Sequence, residues 1–332
     1  MGFISSRAGR IKASPSNMAA QRARELKAAG RDIVNLGQGE PDFATPDHVI
    51  EAAHKAARDG ETRYTTVDGT PELKAAVIDK FSRENGLAFK PENITVGTGG
   101  KQVLFNAMMA TIDPGDEVII PAPYWVSYPD MVLFAEGTPV RVVTDPRDGL
   151  KITPEKLERA ITPRTKWLIL NSPSNPCGAT YSAAELAALA KVLERHPHVW
   201  VLVDDMYEHI LFDGRRFATM AAVAPQLAAR TLTVNGVSKA YAMTGWRIGY
   251  GAGPAELIKT IAKMQSQSTS NPSSVSQAAA VAALNGSQDS VRSHCAEFEA
   301  RRDRFHPVLA AIPGVECAKP HGAFTFTRPA PA

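Results

Sequence analysis

The sequence predicts an α/β fold, a mostly parallel seven-stranded sheet flanked by helices, with a second, smaller α+β domain beside it. Short apolar runs recur between residues 93 and 253, most of them separated by segments of helical periodicity. Those runs are dominated by Val, Ile and Leu, the composition of strands covered on both faces. After residue 253 the strand rhythm stops, and mainly helical segments remain for a smaller unit.

Taken in order, residues 1–16 read as a polar arm. "NMAAQRARELKAA" reads as a helix started by Asn17 and ended by Gly30. "DIVNLGQGEPDFATP" reads as a short strand and a loop rich in glycine and proline. "DHVIEAAHKAARDG" and "TPELKAAVIDKFSRENG" read as helices closed by glycine, the second with Thr70 as cap and Pro71 in the first turn. Then the alternation begins. "NITVGTG" is a strand and 101–112 a helix; "PGDEVIIPAP" is a strand and 125–136 a helix. "TPVRVVT" is followed by a helix over 154–161, and "TKWLILNSP" by one over 182–195. "VWVLVDDMY", "RTLTVNGVS" and "GWRIGYGAG" complete the seven strands. Two helical stretches follow, then a long charged helix over 288–311, then a turn, at most two strands, and the tail "TRPAPA". The implied division is an arm with part of the small domain over 1–44, a large cofactor-binding domain over 45–286, and a linking helix with the rest of the small domain over 287–332. Two short strands need partners, so the small domain reads as incomplete.

Composition narrows the function. The 332 residues are 44% hydrophobic and 21% charged, with a formal net charge of +3. That balance gives no footprint for nucleic acid or an anionic membrane. No window is apolar enough to span a bilayer, and the N-terminus lacks a signal-peptide core. Cys177, Cys295 and Cys317 are scattered and odd in number, which suggests neither disulfides nor a thiolate metal site and points to the cytoplasm.

Ligands of open α/β sheets sit beyond the carboxyl ends of the strands. Four segments place polar residues there. "VGTGGKQ" brings Gly99, Gly100 and Lys101 to a helix start, which suits either an anion or a plain turn. It matches neither dinucleotide nor nucleoside-triphosphate glycine motifs. "LNSPSNPCGA" offers Asn171 and Asn175 before Pro176, a fixed amide or a simple turn. "VDDMYEH" offers Asp204, Asp205 and Tyr207, a partner for a cationic ring nitrogen or a helix cap. "NGVSKAYAMTGWRIGYGAG" sets Lys239 and Arg247 in an apolar, glycine-rich run. A lysine, a carboxylate and an anion cradle together are what pyridoxal phosphate requires.

Four stretches occur in order, "GEPDFATP", "YWVSYP", "LNSPSNPCGA" and "NGVSKAYAMTGWRIGY". With them the chain resembles the fold-type I pyridoxal-phosphate-dependent aminotransferases of class I, in particular the bacterial aspartate aminotransferase subgroup. The resemblance spans residues 10–326. It implies that Lys239 forms the Schiff base with pyridoxal 5′-phosphate and moves the substrate proton. It implies that Asp204, rather than Asp205, pairs with the pyridine nitrogen. Asn175 and Tyr207 would bond the ring oxygen, and Trp125 would stack on the ring. Gly100, Lys101, Ser238 and Arg247 would hold the phosphate, joined by Tyr64 from a neighbouring subunit in a homodimer with shared sites. Gly39, Lys101, Trp125 and Asn175 would meet the substrate. Pro123 and Pro176 would follow cis bonds. Cys177 stands where relatives usually carry threonine, a packing change, and His196 and His198 read as surface residues.

The implied activity is amino transfer from L-aspartate to 2-oxoglutarate by a ping-pong route. Prephenate or aromatic aminotransferases, or a β-lyase, share the scaffold. The family's carboxylate-clamping arginine, in a motif like F-V-R-x-S-Y-A, has no match here, and Arg328 has different surroundings. The expectation is therefore an intact cofactor site with weakened transamination in a C-terminally shortened chain. A non-catalytic cofactor-binding remnant is the reading from another class. A ligand-free structural domain would leave Lys239, Asp204 and Asn175 as coincidences.

Overall fold

The computed structural model describes residues 3–37 and 39–327. Seven strands form one sheet: β1 (Ile94–Thr98), β2 (Glu117–Ala122), β3 (Thr138–Val143), β4 (Thr165–Asn171), β5 (Trp200–Asp204), β6 (Thr231–Gly236) and β7 (Ile248–Ala252). Their spatial order is β1-β7-β6-β5-β4-β2-β3. β7 runs antiparallel to both neighbours, and the other paired strands are parallel.

The helices are α1 (Pro15–Ala28), α2 (Asp47–Arg58), α3 (Pro71–Asn85), α4 (Gly100–Thr111), α5 (Ser127–Phe134), α6 (Pro154–Ala160), α7 (Ala183–Glu194), α8 (Met220–Val223), α9 (Ala255–Ser266), α10 (Ser274–Asn285) and α11 (Asp289–Ala310). Local chemistry fixes several of their ends. Thr70 accepts a bond from the Leu73 N–H at the start of α3, and Gly86 ends that helix with φ of 66°. Ser182 and Glu185 form a reciprocal capping box on α7.

Alternate residues of the strands feed opposite faces of the sheet. Val118, Ile120, Leu202 and Leu232 pack with residues of α4, α5 and α9. Ile119, Leu168, Val201 and Val203 pack with residues of α6 and α7. A further cluster joins α2, α3 and α10 to β1 and β7 around Phe81, Val96 and Tyr250. The double coverage explains why the strands read as continuous apolar runs.

The structure corrects four expectations. Residues 32–37 form no strand, and Val34 and Leu36 are exposed, with no neighbouring strand among the described residues to pair them. The first helix begins at Pro15 after Ser14 rather than at an Asn17 cap. The last segment, over 312–327, makes only an isolated bridge between Leu211 and Gly322. The stretch "PAELIKTIAKMQSQSTSNP" reads as helical through Pro272, but its helix covers only Ala255–Ser266. Arg328 and the rest of the C-terminal tail lie outside the described residues. The bonds preceding Pro123 and Pro176 are cis, as expected, and so is that preceding Pro173.

Candidate active site

Beyond the carboxyl ends of the parallel strands lies a cavity of about 1220 Å³. Gly39, Gly100, Lys101, Trp125, Asn171, Asn175, Asp204, Tyr207, Ser238, Lys239 and Arg247 all line it. Residues separated by up to 208 positions in the chain thus converge: most end or follow a parallel strand or start the next helix, Arg247 immediately precedes β7, and Gly39 comes from the loop before α2. Tyr64 does not line the cavity and is 91% exposed.

Asp204 ends β5 directly opposite Asn171 of β4. The Asn171 side-chain amide donates to the Asp204 main-chain oxygen at 2.7 Å. The Asn175 N–H in turn donates to Asn171 Oδ1 at 2.7 Å. The Asp204 carboxylate accepts from Tyr128 Oη at 2.6 Å and from the Met206 N–H at 3.3 Å. Burial raises the pKa of Asp204, and the Tyr128 bond is the main opposing influence. Tyr128 itself stays a donor, because burial and the adjacent carboxylate push its ionisation far up. Asp205 is buried too, but does not line the cavity.

Lys239 follows Ser238 on the turn after β6. Its amine donates to the Gly39 carbonyl at 2.6 Å. The ammonium lies 6.0 Å from the centre of the Tyr207 ring and 5.7 Å from that of Phe324. Burial lowers its pKa to about 8; Glu40 and Asp204 oppose that shift, while Arg247 and Lys101 add to it. Tyr207 and Asn175 stand together, Nδ2 donating to Oη at 3.4 Å.

The glycine loop before α4 carries the positive side of the cavity. Gly99 has φ of 80°, a conformation that side chains resist. A β-carbon there would lie 2.9 Å from Cζ of Arg247, so the absent side chain is what admits the guanidinium. Arg247 donates to the carbonyls of Thr244 at 2.8 Å and Thr98 at 3.4 Å. Lys101 lies over Trp125 at 4.7 Å, and burial together with Arg247 lowers its pKa. Two cations, a helix N-terminus and a side-chain-free loop make an anion receptor.

Sequence reasoning missed Tyr128, although it lies within the quoted "YWVSYP" and three residues after Trp125. The turn that enters α5, in which the Tyr128 N–H donates to the Trp125 carbonyl at 3.1 Å, brings the two rings 5.4 Å apart and nearly perpendicular. It also missed the aromatic wall of Phe298 and Phe324, stacked at 4.8 Å. No local pattern connects these two residues, since α11 and the chain after it meet only in the folded molecule.

A depressed lysine, a buried carboxylate and an anion receptor opening into one cavity define the class: a pyridoxal-phosphate-dependent transferase of fold type I. Comparison with known proteins carries this to a family. Residues 31–332 match the family described as aminotransferase class I and II. An aspartate/prephenate aminotransferase of Cereibacter sphaeroides is 59% identical over 324 residues, covering 98% of this chain and 81% of that protein. An aspartate aminotransferase of Rhizobium meliloti is 62% identical over 307 residues, covering 92% and 75%. The crystal structure of an aspartate aminotransferase from Rhizobium meliloti superposes with a TM-score of 0.93 at 59% identity, covering 97% of this chain and 81% of that one. The Thermus thermophilus aspartate aminotransferase with maleate gives 0.91 at 46% identity, covering 97% and 84%. The chain therefore belongs to the class I and II aminotransferases, and is an enzyme of that kind with pyridoxal 5′-phosphate as cofactor. The residues present fit that group: the missing side chain at Gly99 admits the Arg247 guanidinium to the start of α4, where a phosphate would meet it, and the carboxylate and amine answer the ring nitrogen and aldehyde.

Proposed function

We propose that the chain transfers the amino group of L-aspartate to 2-oxoglutarate in a ping-pong exchange. The observation that carries the dicarboxylate reading is Lys101. Its ammonium lines the cavity over Trp125, and no carboxylate pairs with it among the described residues. A second carboxylate on the substrate would supply that partner.

When bound, pyridoxal phosphate supplies a carbonyl carbon that takes up the amino group and a ring that withdraws the electron pair released at the substrate Cα. The chain's residues prepare and complete this. Lys239, with its pKa at about 8, offers a neutral amine to anchor the cofactor and to move the proton at the substrate Cα. Asp204, whose carboxylate form the Tyr128 hydrogen bond favours against burial, would pair with the ring nitrogen and hold a proton there. Asn175 and Tyr207, which stand together, would bond the ring oxygen, and Trp125 would lie against the ring. The N–H groups of Gly100 and Lys101, with Ser238 and Arg247, would hold the phosphate, with the partner subunit's Tyr64 added in a homodimer. The exposure of Tyr64 in the single chain supports that last role. Sedimentation at twice 35.6 kDa, rather than at 35.6 kDa, is the measurement that checks the dimer. Gly39, Asn175, Trp125 and Lys101 receive the substrate.

No helix of the described residues is long and apolar enough to cross a membrane. Three free cysteines support a reducing compartment, and we place the enzyme in the cytoplasm.

A panel of amino donors with 2-oxoglutarate tests the substrate. Aspartate is expected to lead, and Lys101→Leu to raise its KM by roughly 10- to 100-fold, the loss of a charged hydrogen bond. No turnover of aspartate or glutamate by the folded, cofactor-loaded wild type would sink the reading. A second reading, aspartate with prephenate or an aromatic acid, is favoured by the Phe298 and Phe324 wall and by the name of the Cereibacter relative. It predicts that the aromatic acceptors turn over at comparable kcat/KM.

A further inference from the structure

Three strands adjacent in the sheet carry glycine at one register. Gly97 of β1 pairs with Gly249 of β7, and Gly249 pairs with Gly236 of β6. Residues paired this way present side chains to the same face. Here that face has none, and a shallow trough crosses β1, β7 and β6. α4 contacts all three of these strands.

The first turn of α4 sits in the trough. A β-carbon on Gly249 would lie 2.5 Å from Gly100 Cα and 2.5 Å from the Gly99 carbonyl carbon. Both obstacles are backbone, so the clash could be relieved only by moving the loop and the helix start. The same carbon on Gly236 would lie 3.0 Å from Gly249 Cα. On Gly97 it would meet Val103 Cγ2 at 3.0 Å, a side-chain tip. The tightest point of the trough is therefore at Gly249, beneath the main-chain groups that face the cavity.

We propose that Gly249 is a positioning residue for the anion receptor. It sets the depth at which the N-terminus of α4 lies against the sheet, and so the aim of the Gly100 and Lys101 N–H groups relative to Arg247. Gly99 does the complementary work from above, by making room for the Arg247 guanidinium. Gly249 touches no ligand itself; it acts through the main chain of residues 99–100. This rests on the reading that Gly100, Lys101 and Arg247 hold the cofactor phosphate.

The test separates the phosphate from the rest of the cofactor. The dissociation constants of pyridoxal phosphate and of pyridoxal are measured for the cofactor-free wild type, Gly249→Ala and Gly99→Ala. Thermal unfolding of each is recorded alongside. Wild type is expected to prefer the phosphorylated form strongly. In Gly249→Ala that preference is expected to fall at least about 10-fold, with pyridoxal bound almost as before. Gly99→Ala, whose added carbon meets the flexible end of Arg247, is expected to fall in the same direction; if Gly249→Ala does not fold, Gly236→Ala, whose added carbon lies 3.0 Å from Gly249 Cα, is measured in its place and is expected to show the same loss of preference. An unchanged ratio in a folded variant, or equal losses for both ligands, overturns the proposal. A wild type with no preference for the phosphorylated form overturns the phosphate reading, and this proposal with it.

Discussion

Burial holds the Lys239 amine at a pKa of about 8, against 10.4 for an ordinary lysine. The sign matters. The neutral amine is the form that can attack a carbonyl, and lowering the pKa enlarges that fraction near neutrality. About a tenth of the side chains are neutral at pH 7 and about nine-tenths at pH 9. Uptake of the cofactor by the cofactor-free enzyme should therefore quicken about tenfold between these values, with a midpoint near 8; a rate that keeps climbing past pH 10 would show an unshifted lysine. Tyr128 is the second residue whose chemistry can be weighed. Its 2.6 Å bond is the main influence lowering the Asp204 pKa. Tyr128→Phe should let Asp204 take up a proton more easily, so the cofactor should bind about 10-fold more weakly, most visibly at low pH. In an Asp204→Asn background the same change should add nothing, which a double-mutant cycle of binding constants would reveal. The sequence names Lys239 through its motif, but Tyr128 becomes meaningful only when α5 is laid against the end of β5.

Between elements, the turn that carries Asp204 and Tyr207 is held from behind by a buried ionic cluster. Lys80 of α3 is fully buried and pairs with Glu208, and it donates to Asn85 Oδ1 at 2.8 Å. Asn85 donates to the other oxygen of Glu208 at 3.0 Å. Against the burial that would raise it, Glu208 is held below the usual carboxylate range, chiefly by Lys80 and His209. His209 completes the cluster, 2.8 Å from Glu84. Removing one partner strands a buried charge, so Lys80→Met should cost about 3–5 kcal/mol in urea unfolding. Adding Glu208→Leu should recover most of that loss; a cost that stays the same in the double variant would contradict this account. None of this was visible in "AVIDKFSREN", where Lys80 looks like an ordinary helical surface charge. The strands were legible for the opposite reason. Double coverage makes Val118 to Ile120 and Val201 to Val203 continuously apolar, whatever their partners. "DIVNLG" shows the limit of that signal: its apolar residues suit a strand, but among the described residues no neighbouring strand receives them.

For the whole molecule, the seven-stranded sheet brings segments from Gly39 to Arg247 around one cavity. The motifs identified most of these residues because each lies in a short, distinctive stretch. The wall formed by Phe298 and Phe324 was hidden, since it depends on α11 and the Leu211–Gly322 bridge bringing distant segments together. The central claim is that these residues form a working amino-transfer site, and an absorption spectrum tests it most directly. Pyridoxal phosphate is added to the purified chain, excess reagent is removed, and the spectrum is taken before and after L-aspartate. The account predicts a protein-bound band in the visible that requires Lys239 and shifts toward the near ultraviolet when aspartate is added. A band that stays unchanged with aspartate and glutamate, or no bound band in wild type just as in Lys239→Ala, would contradict it.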